Sequence, residues 1–493
     1  MEATARVNIA HVEQKALHSV KWSVLIEAVS RTANPLILLI LARFLTPSDF
    51  GVIATAMIGI SFAQLFADAG LSKALVQTES ESREAAVVAF WLNTALGVCT
   101  YIVFFFAAPF FAEFFNVSGS SLVLRVLGLQ IILASASSVQ QALLVRELDF
   151  RPLFWAKFFS ALVPGVFSIP LAFYGFGVWA LVAGALSGQS LNLLILWSQS
   201  SWRPAMRMDL RLTKKLTGFG FWVLAEGFGA WLITWGDCLL LGKFLGVYEL
   251  GVYRTGWTLV TIIFGLALNP FLPVVYSSLS RLQGDKAAVL HGFRKVNRVV
   301  IGVAMPMGIG LMLLGPEMSA LLFDAKWLGL GQVLSILGLM VGLSWLVGIN
   351  SQLYTAIGRP QINSKIIFMA ILYYLPCYAI AAQKGLEVFL YTRLVVSLFA
   401  LIIHFLVCKR MLEMSFFYIW NDAKYQITSS FAMGIALAII KQLLYFIIPE
   451  VPPFIMLVSL FLSGVGIYLS LLWLMDQTFI NQTLRLIKEA AVS

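Results

Sequence analysis

The stretch that decides the fold spans residues 454–475 and reads FIMLVSLFLSGVGIYLSLLWLM. It contains no charged side chain. As an α-helix it is about 33 Å long, enough to cross the roughly 30 Å of hydrocarbon in a bilayer. In lipid, backbone groups must bond to one another, and the strands of a membrane barrel would be shorter and alternating. The run therefore predicts a transmembrane helix.

Similar apolar runs recur along the chain. They include Val24–Leu41, Ala85–Ala108, Leu153–Tyr174 and Ile366–Ala382. Of the 493 residues, 60% are hydrophobic and 12% are charged, whereas about a quarter of the residues of a soluble domain are charged. The composition excludes a soluble protein. It predicts an all-α integral membrane protein with about 14 transmembrane helices.

Basic residues indicate on which side of the membrane each connection lies. Lys and Arg concentrate at both ends of the chain and in the even-numbered connections, above all in Arg203–Lys215 and Arg281–Arg298. Because basic connections stay cytoplasmic, both termini are expected inside. The net charge of +10 is then a topology signal and an attraction to anionic membrane lipid. Nucleic acid is not an expected partner.

A repeat at an offset of 200 residues indicates an internal duplication. Arg43-Phe44-Leu45 corresponds to Lys243-Phe244-Leu245, and Asp49-Phe50-Gly51-Val52 corresponds to Glu249-Leu250-Gly251-Val252. The offset covers six predicted spans, an even number, so the two copies share one orientation. We therefore expect two parallel six-helix lobes around a central cleft, followed by two C-terminal helices.

This pattern divides the chain into six expected parts. They are a cytoplasmic amphipathic segment (1–21), a first lobe with spans one to six (22–198), a cytoplasmic linker (199–216), a second lobe with spans seven to twelve (217–410), the last two spans (411–476) and a cytoplasmic tail (477–493). The basic linker is the expected hinge between the lobes.

The first span carries a polar face formed by Glu27, Ser30, Arg31 and Asn34, whose spacing places them on one side of a helix. Arg31 is expected about 15 Å deep, close to the bilayer midplane. A charge in hydrocarbon is costly, so this face is a candidate lining of a cavity. The alternative is that Glu27 and Arg31 form a neutral pair that only orients the helix.

The seventh span carries a second polar face with Glu226, Thr234 and Asp237. Two carboxylates facing a cavity can bind a proton or Na⁺, and hydrogen bonding between helices is the structural alternative. Asp237 has Lys243 or Arg254 as an expected partner. Arg254 lies about one turn into the eighth span, where it either reaches the cavity or extends to the membrane interface.

Other residues give no sign of catalysis. Lys441, in the thirteenth span, is expected to reach the membrane surface or lipid headgroups. The sequence shows no paired cysteines, no metal-ligand spacing and no Walker sequence. We therefore expect a secondary transporter rather than an enzyme, with no cofactor and with H⁺ or Na⁺ as the only candidate coupling ion.

Several local motifs resemble those of one exporter family. They are Lys21-Trp22-Ser23, residues 41–51 (LARFLTPSDFG), residues 66–77 (FADAGLSKALVQ), Arg146-Glu147-Leu148-Asp149-Phe150 and Phe323-Asp324-Ala325-Lys326-Trp327. In order and spacing they resemble the polysaccharide-transporter branch of the multidrug/oligosaccharidyl-lipid/polysaccharide exporter superfamily. Exporters of colanic acid and flippases of lipopolysaccharide O-units are similar members.

This resemblance implies a flippase in the bacterial cytoplasmic (inner) membrane. Such a protein moves an undecaprenyl-pyrophosphate-linked oligosaccharide to the outer leaflet for exopolysaccharide, capsule or lipopolysaccharide synthesis, coupled to H⁺ or Na⁺. In this chain Arg31 and Arg254 are the expected pyrophosphate ligands, and Glu27, Glu226 and Asp237 are the expected cavity acids. The implied partners are membrane lipids and the polymerase or glycosyltransferase machinery.

The related peptidoglycan-lipid flippases also resemble the first span, but with one departure. Ser30-Arg31 and Ala42-Arg43 fit two of their three characteristic pairs, whereas Ile37-Leu38 replaces the Arg-Asp pair between them. This departure argues against a peptidoglycan precursor as the substrate. It also leaves Arg31 as the only deeply placed cation of that predicted helix.

Two other functions remain open on sequence grounds. A multidrug or small-molecule exporter of the same superfamily would have a net acidic cavity and few deep arginines. A membrane-bound polysaccharide polymerase or ligase would need a sizeable outer loop or an acidic cytoplasmic domain, whereas the outer connections here are short and the longest inner ones are basic.

Overall fold

A computed structural model describes most of the chain. It covers residues 32–68, 70–71, 75, 82–147, 149–205, 210–269, 272, 275, 279–282, 285–359, 361–415, 417–448 and 451–480. These residues fall into two compact units, Met1–Gly251 and Val252–Ser493.

Helices account for nearly all of the described residues of the first unit. They are α1 (Thr32–Phe44), α2 (Pro47–Asp68), α3 (Ser82–Phe114), α4 (Ser121–Arg146), α5 (Phe150–Phe173), α6 (Val178–Gln199) and α7 (Leu210–Leu245). The next helix, α8 (Val247–Leu268), begins in the first unit and continues into the second.

The second unit is also mostly helical in its described part. Its helices are α9 (Lys286–Leu322), α10 (Leu330–Ser344), α11 (Asn350–Ala356), α12 (Gln361–Ala382), α13 (Leu386–Leu412), α14 (Tyr418–Ile447) and α15 (Pro453–Met475). Twelve helices of the described chain are long and apolar enough to cross a membrane, and α1 and α10 are shorter apolar helices. The prediction of an all-α membrane protein with about 14 spans is confirmed.

One predicted span and one predicted connection differ from the structure. The tenth span, expected as Leu330–Leu353, is broken between α10 and α11, where the Trp345 ring packs so closely on Gly348 that an added Cβ would lie 2.4 Å from it. The basic segment Arg281–Arg298, expected as a connection, is helical from Lys286. The Asp285 side chain caps that helix by accepting from the backbone N–H groups of the next turn.

In the first unit the duplicated motif makes contact with its own copy. A Cβ on Gly51 would lie 1.8 Å from the carbonyl oxygen of Val247, and a Cβ on Gly251 would lie 1.8 Å from that of Pro47. Each glycine therefore lies against the first turn of the helix that carries the other. The two-hundred-residue repeat thus marks a close, reciprocal crossing of α2 and α8.

The first residues of the predicted linker are packed against the first unit. The Trp202 ring lies 5.8 Å from that of Phe90, and Trp91 Nε1 donates to the Ala205 carbonyl at 3.0 Å. The linker is therefore packed as far as Ala205, and its role as a hinge stays a prediction. The six-part division of the chain stays a prediction.

Candidate functional site

The predicted polar face of the first span is only partly described. Glu27, Ser30 and Arg31 lie outside the described residues. Asn34 lies in α1 with its side chain exposed. The assignment of Arg31 to the substrate pyrophosphate therefore stays a prediction.

The structure separates the three polar residues of the seventh span by environment. Glu226 and Thr234 are exposed on α7, and the Thr234 hydroxyl donates to the Ala230 carbonyl at 2.8 Å. Asp237 is only 4% exposed and accepts from the backbone N–H of Cys238 at 2.7 Å. Glu226 and Asp237 are 11 positions apart, which corresponds to about 16 Å along the helix. One ion cannot bridge the two carboxylates, so each would bind an ion separately.

Aromatic side chains hold α7 against α2 beside this face. The Trp231 indole N–H donates to Ser61 Oγ at 3.0 Å, and its ring lies 4.9 Å from that of Phe62 and 6.2 Å from that of Phe228. Such edge and stacked contacts add to the burial of the rings. They fix the rotation of α7 in the first unit and so the direction in which Glu226 and Thr234 are exposed.

In the second unit, Arg254 lies half-buried on α8, and a second cation, which the sequence analysis missed, packs against the same helix. Arg393 of α13 is 9% exposed, and its guanidinium lies 4.4 Å from the Trp257 ring and 5.4 Å from the Tyr253 ring, both on α8. Aromatic faces stabilise a guanidinium that has left water. An arginine inside the apolar run of α13 was the sequence signal that could have identified it.

The expectation for Lys441 is wrong. Its Nζ lies 2.7 Å from Glu317 Oε1 of α9 and donates to the Leu313 carbonyl at 2.9 Å. The Tyr445 hydroxyl donates to the same carboxylate oxygen at 3.3 Å. Pro316 lacks an N–H and disturbs this turn of α9, which leaves carbonyl groups open to an outside donor. Lys441 therefore binds a neighbouring helix instead of reaching the lipid surface.

A nearly apolar cavity of about 540 Å³ lies in the second unit between α9, α14 and α15. Its lining includes Leu314, Met318, Leu437, Leu460 and Tyr468. The Tyr468 hydroxyl donates to the Gly302 carbonyl at 2.7 Å, so it offers no free donor to the cavity. The described residues that line the cavity suit hydrocarbon, and among them no polar group is free to hold a sugar or a phosphate.

An all-α chain with charged side chains inside its apolar spans is of the class of multi-pass membrane transport proteins. Solved structures with this fold include the lipid II flippase MurJ in an inward closed conformation (TM-score 0.74, 14% identity, 94% of this chain and 100% of that chain). An inward-facing multidrug resistance MATE transporter of the MOP superfamily is also similar (TM-score 0.64, 14% identity, 79% of this chain and 98% of that one).

Residues 40–332, more than half of the chain, match the model of the family described as "Polysaccharide biosynthesis protein", and the chain belongs to that family. This confirms the resemblance to polysaccharide exporters of the MOP superfamily. The family is one of transporters rather than enzymes, as the sequence predicted.

Curated relatives agree with this assignment. The succinoglycan biosynthesis transport protein ExoT of Rhizobium meliloti (strain 1021) is 26% identical over 66% of this chain and 66% of its own length. The teichuronic acid biosynthesis protein TuaB of Bacillus subtilis (strain 168) is 25% identical over 61% and 63%. The lipopolysaccharide biosynthesis protein WzxC of Escherichia coli (strain K12) is 23% identical over 76% of each chain. The chain thus spans about two thirds of the length of the first two.

Proposed function

We propose that this protein is a flippase that carries an undecaprenyl-pyrophosphate-linked oligosaccharide from the inner to the outer leaflet of the bacterial cytoplasmic membrane. The proposal rests on the combination of the family with the fold. The sequence belongs to a polysaccharide biosynthesis family, while the fold is that of a flippase for a lipid-linked precursor along 94% of the chain. We infer a lipid-linked sugar because it is a substrate class that would fit both observations.

The proposed binding step uses cations at membrane depth. Arg31 and Arg254 take the pyrophosphate, because a guanidinium binds phosphate oxygens through two parallel hydrogen bonds that strengthen in a dry site. Ser30 and Asn34 supply further polar contacts. The sugar occupies a cleft between the predicted lobes, and the prenyl tail stays in lipid.

The proposed transport step is alternating access. The lobes rock about the linker, and an ion bound at Glu27, Glu226 or Asp237 resets the cycle, since a ligand shifts a conformational equilibrium only by its different affinity for the two states. The glycosyltransferases that build the substrate and the polymerase that consumes it are the proposed functional partners.

The test is export of the polysaccharide in cells that lack the chromosomal copy of this protein. Arg31→Ala and Arg254→Ala are each expected to reduce export at least about tenfold, because a charged partner of the pyrophosphate is worth roughly 1.5–3 kcal/mol. Arg31→Lys should retain part of the activity, since it keeps the charge and loses the planar geometry.

The matched control is Lys384→Ala, which removes an exposed cation between α12 and α13. It should export at the wild-type level, with all variants present in the membrane in equal amounts. Normal export by both Arg→Ala variants would refute the pyrophosphate assignment. If the protein is a flippase, its deletion strain should accumulate the lipid-linked unit in the inner leaflet. If it were a polymerase, the deletion strain would accumulate that unit in the outer leaflet.

A further inference from the structure

Two ion pairs join α9 to α14, one at each end, and their polarity is reversed. Near the cytoplasmic end by the predicted topology, Arg294 of α9 binds Asp422 of α14 through Nε and Oδ2 at 2.6 Å. Near the outer end, Glu317 of α9 binds Lys441 of α14 at 2.7 Å. The basic residue of the pair is therefore on α9 at the cytoplasmic end and on α14 at the outer end.

The contacts along this interface join residues of α9 and α14 at a constant separation in the sequence. The contacts Arg294–Asp422, Leu313–Lys441 and Glu317–Tyr445 each join residues that are 128 positions apart in the sequence. Between the charged ends, a Cβ on Gly434 would lie 2.6 Å from Ile309 Cγ2. From Asp422 to Tyr445, across a kink that α14 makes at Ala423, the two helices thus run parallel and in contact.

The reversed polarity makes this alignment specific. A shift of one helical turn would break both ion pairs at once, and an antiparallel alignment would place Arg294 near Lys441 and Glu317 near Asp422. Glu317 is 4% exposed, and within the described part of the chain its Oε2 has no hydrogen-bond partner. A buried carboxylate that lost Lys441 would be left without its counter-ion inside the membrane, which is strongly unfavourable.

We infer that Glu317 and Lys441, together with Arg294 and Asp422, are positioning residues that lock α14 in register with α9, so that the two helices move as one body during transport. This gives the last two spans, which lie outside the internal duplication, a defined mechanical role. They form a fixed wall of the second unit, and the interface between α9 and α14 does not open or slide in the cycle.

The first test is a charge exchange measured as thermal stability of the purified protein in detergent. Glu317→Lys and Lys441→Glu are each expected to lower the midpoint by several degrees, since each places two like charges together. The double variant Glu317→Lys/Lys441→Glu should recover most of that loss. A double variant no more stable than the worse single variant would overturn the inference. This measurement requires no transport assay.

The second test asks whether the interface moves. In a variant whose four native cysteines are replaced by alanine, Ile309→Cys/Gly434→Cys places two thiols at a close approach of α9 and α14, within the reach of a disulfide. Export in cells is compared before oxidation, after oxidation and after reduction. We expect equal export in all three states.

Loss of export on oxidation that is reversed by reduction would show that the helices must slide, and would overturn the inference. The two single-cysteine variants control for oxidation elsewhere. Because the reduced protein serves as its own reference, export in that state shows that the proposed function stands whichever result the cross-link gives.

Discussion

At the residue scale, small side chains and buried charges determine how these helices meet. Positions 51 and 251 have room for glycine alone, because the facing atoms are backbone carbonyl oxygens that cannot rotate away. The buried charges follow a different rule. Each has a partner at close range, such as Glu317 with Lys441, because an isolated charge in hydrocarbon would destabilise the fold.

Gly251→Ala is expected to destabilise the protein strongly. The added Cβ would lie 1.8 Å from the Pro47 carbonyl oxygen, so α2 and α8 would have to separate, at a cost of about 3 kcal/mol. Thermal unfolding in detergent measures the effect. Gly466→Ala in α15 is the matched control, because its Cβ meets no atom within 4 Å, and it should leave the midpoint unchanged or raise it. Equal midpoints for the two variants would show that the crossing is not close.

At the element scale, the C-terminal helices are fastened to α9 by polar groups that lie far from it in sequence. Beyond the end of α15, Asp476 forms an ion pair with Arg298 of α9 and accepts hydrogen bonds from Gln426 and Thr478 at 3.0 and 2.9 Å. Burial raises the pKa of Asp476, but the hydrogen bonds from Arg298, Thr478 and the Phe479 backbone outweigh it. The pKa is held below its ordinary value of 3.8.

This direction sets the pH dependence of the contact. A carboxylate whose pKa is lowered on folding stabilises the fold fully above the ordinary value, and the contribution is lost as the pH falls through the lowered pKa. Asp476→Asn is expected to cost about 2 kcal/mol at pH 7 and to make no difference well below pH 3. The measurement is the unfolding midpoint of the wild-type protein and of Asp476→Asn between pH 7 and pH values below 3. A difference that stays constant with pH would contradict the assignment.

At the scale of the whole molecule, the proposed ion coupling depends on where the cavity acids lie. The structure places the two acids of α7 in different settings, with Glu226 exposed and Asp237 buried. An exposed carboxylate exchanges ions with water readily, whereas a buried one binds an ion only if other ligands replace the lost water. We therefore expect the two positions to contribute unequally to ion coupling.

The measurement is transport of the lipid-linked substrate in proteoliposomes with an imposed H⁺ or Na⁺ gradient. Asp237→Asn is expected to weaken the response to the gradient more than Glu226→Gln, because a buried site holds its ion longer. Transport without any gradient should persist in both variants. If neither substitution changes the gradient response, coupling does not involve α7.

The sequence alone determined the all-α membrane fold, the number of spans and the family, because the length of an apolar run and the order of short motifs are local properties. It also located the polar face of α7 with Glu226, Thr234 and Asp237. It did not give their exposure, since that depends on the neighbouring α2 and its aromatic rings.

Only the tertiary structure decided which charges pair. Lys441 and Glu317 are 124 positions apart, and in the sequence each stands alone in an apolar run. The break between α10 and α11 was equally hidden, because hydropathy does not register the packing of Trp345 on Gly348. Local patterns show which segments must be removed from water. The partner of a buried polar group depends on helix register, and register arises only when the helices pack.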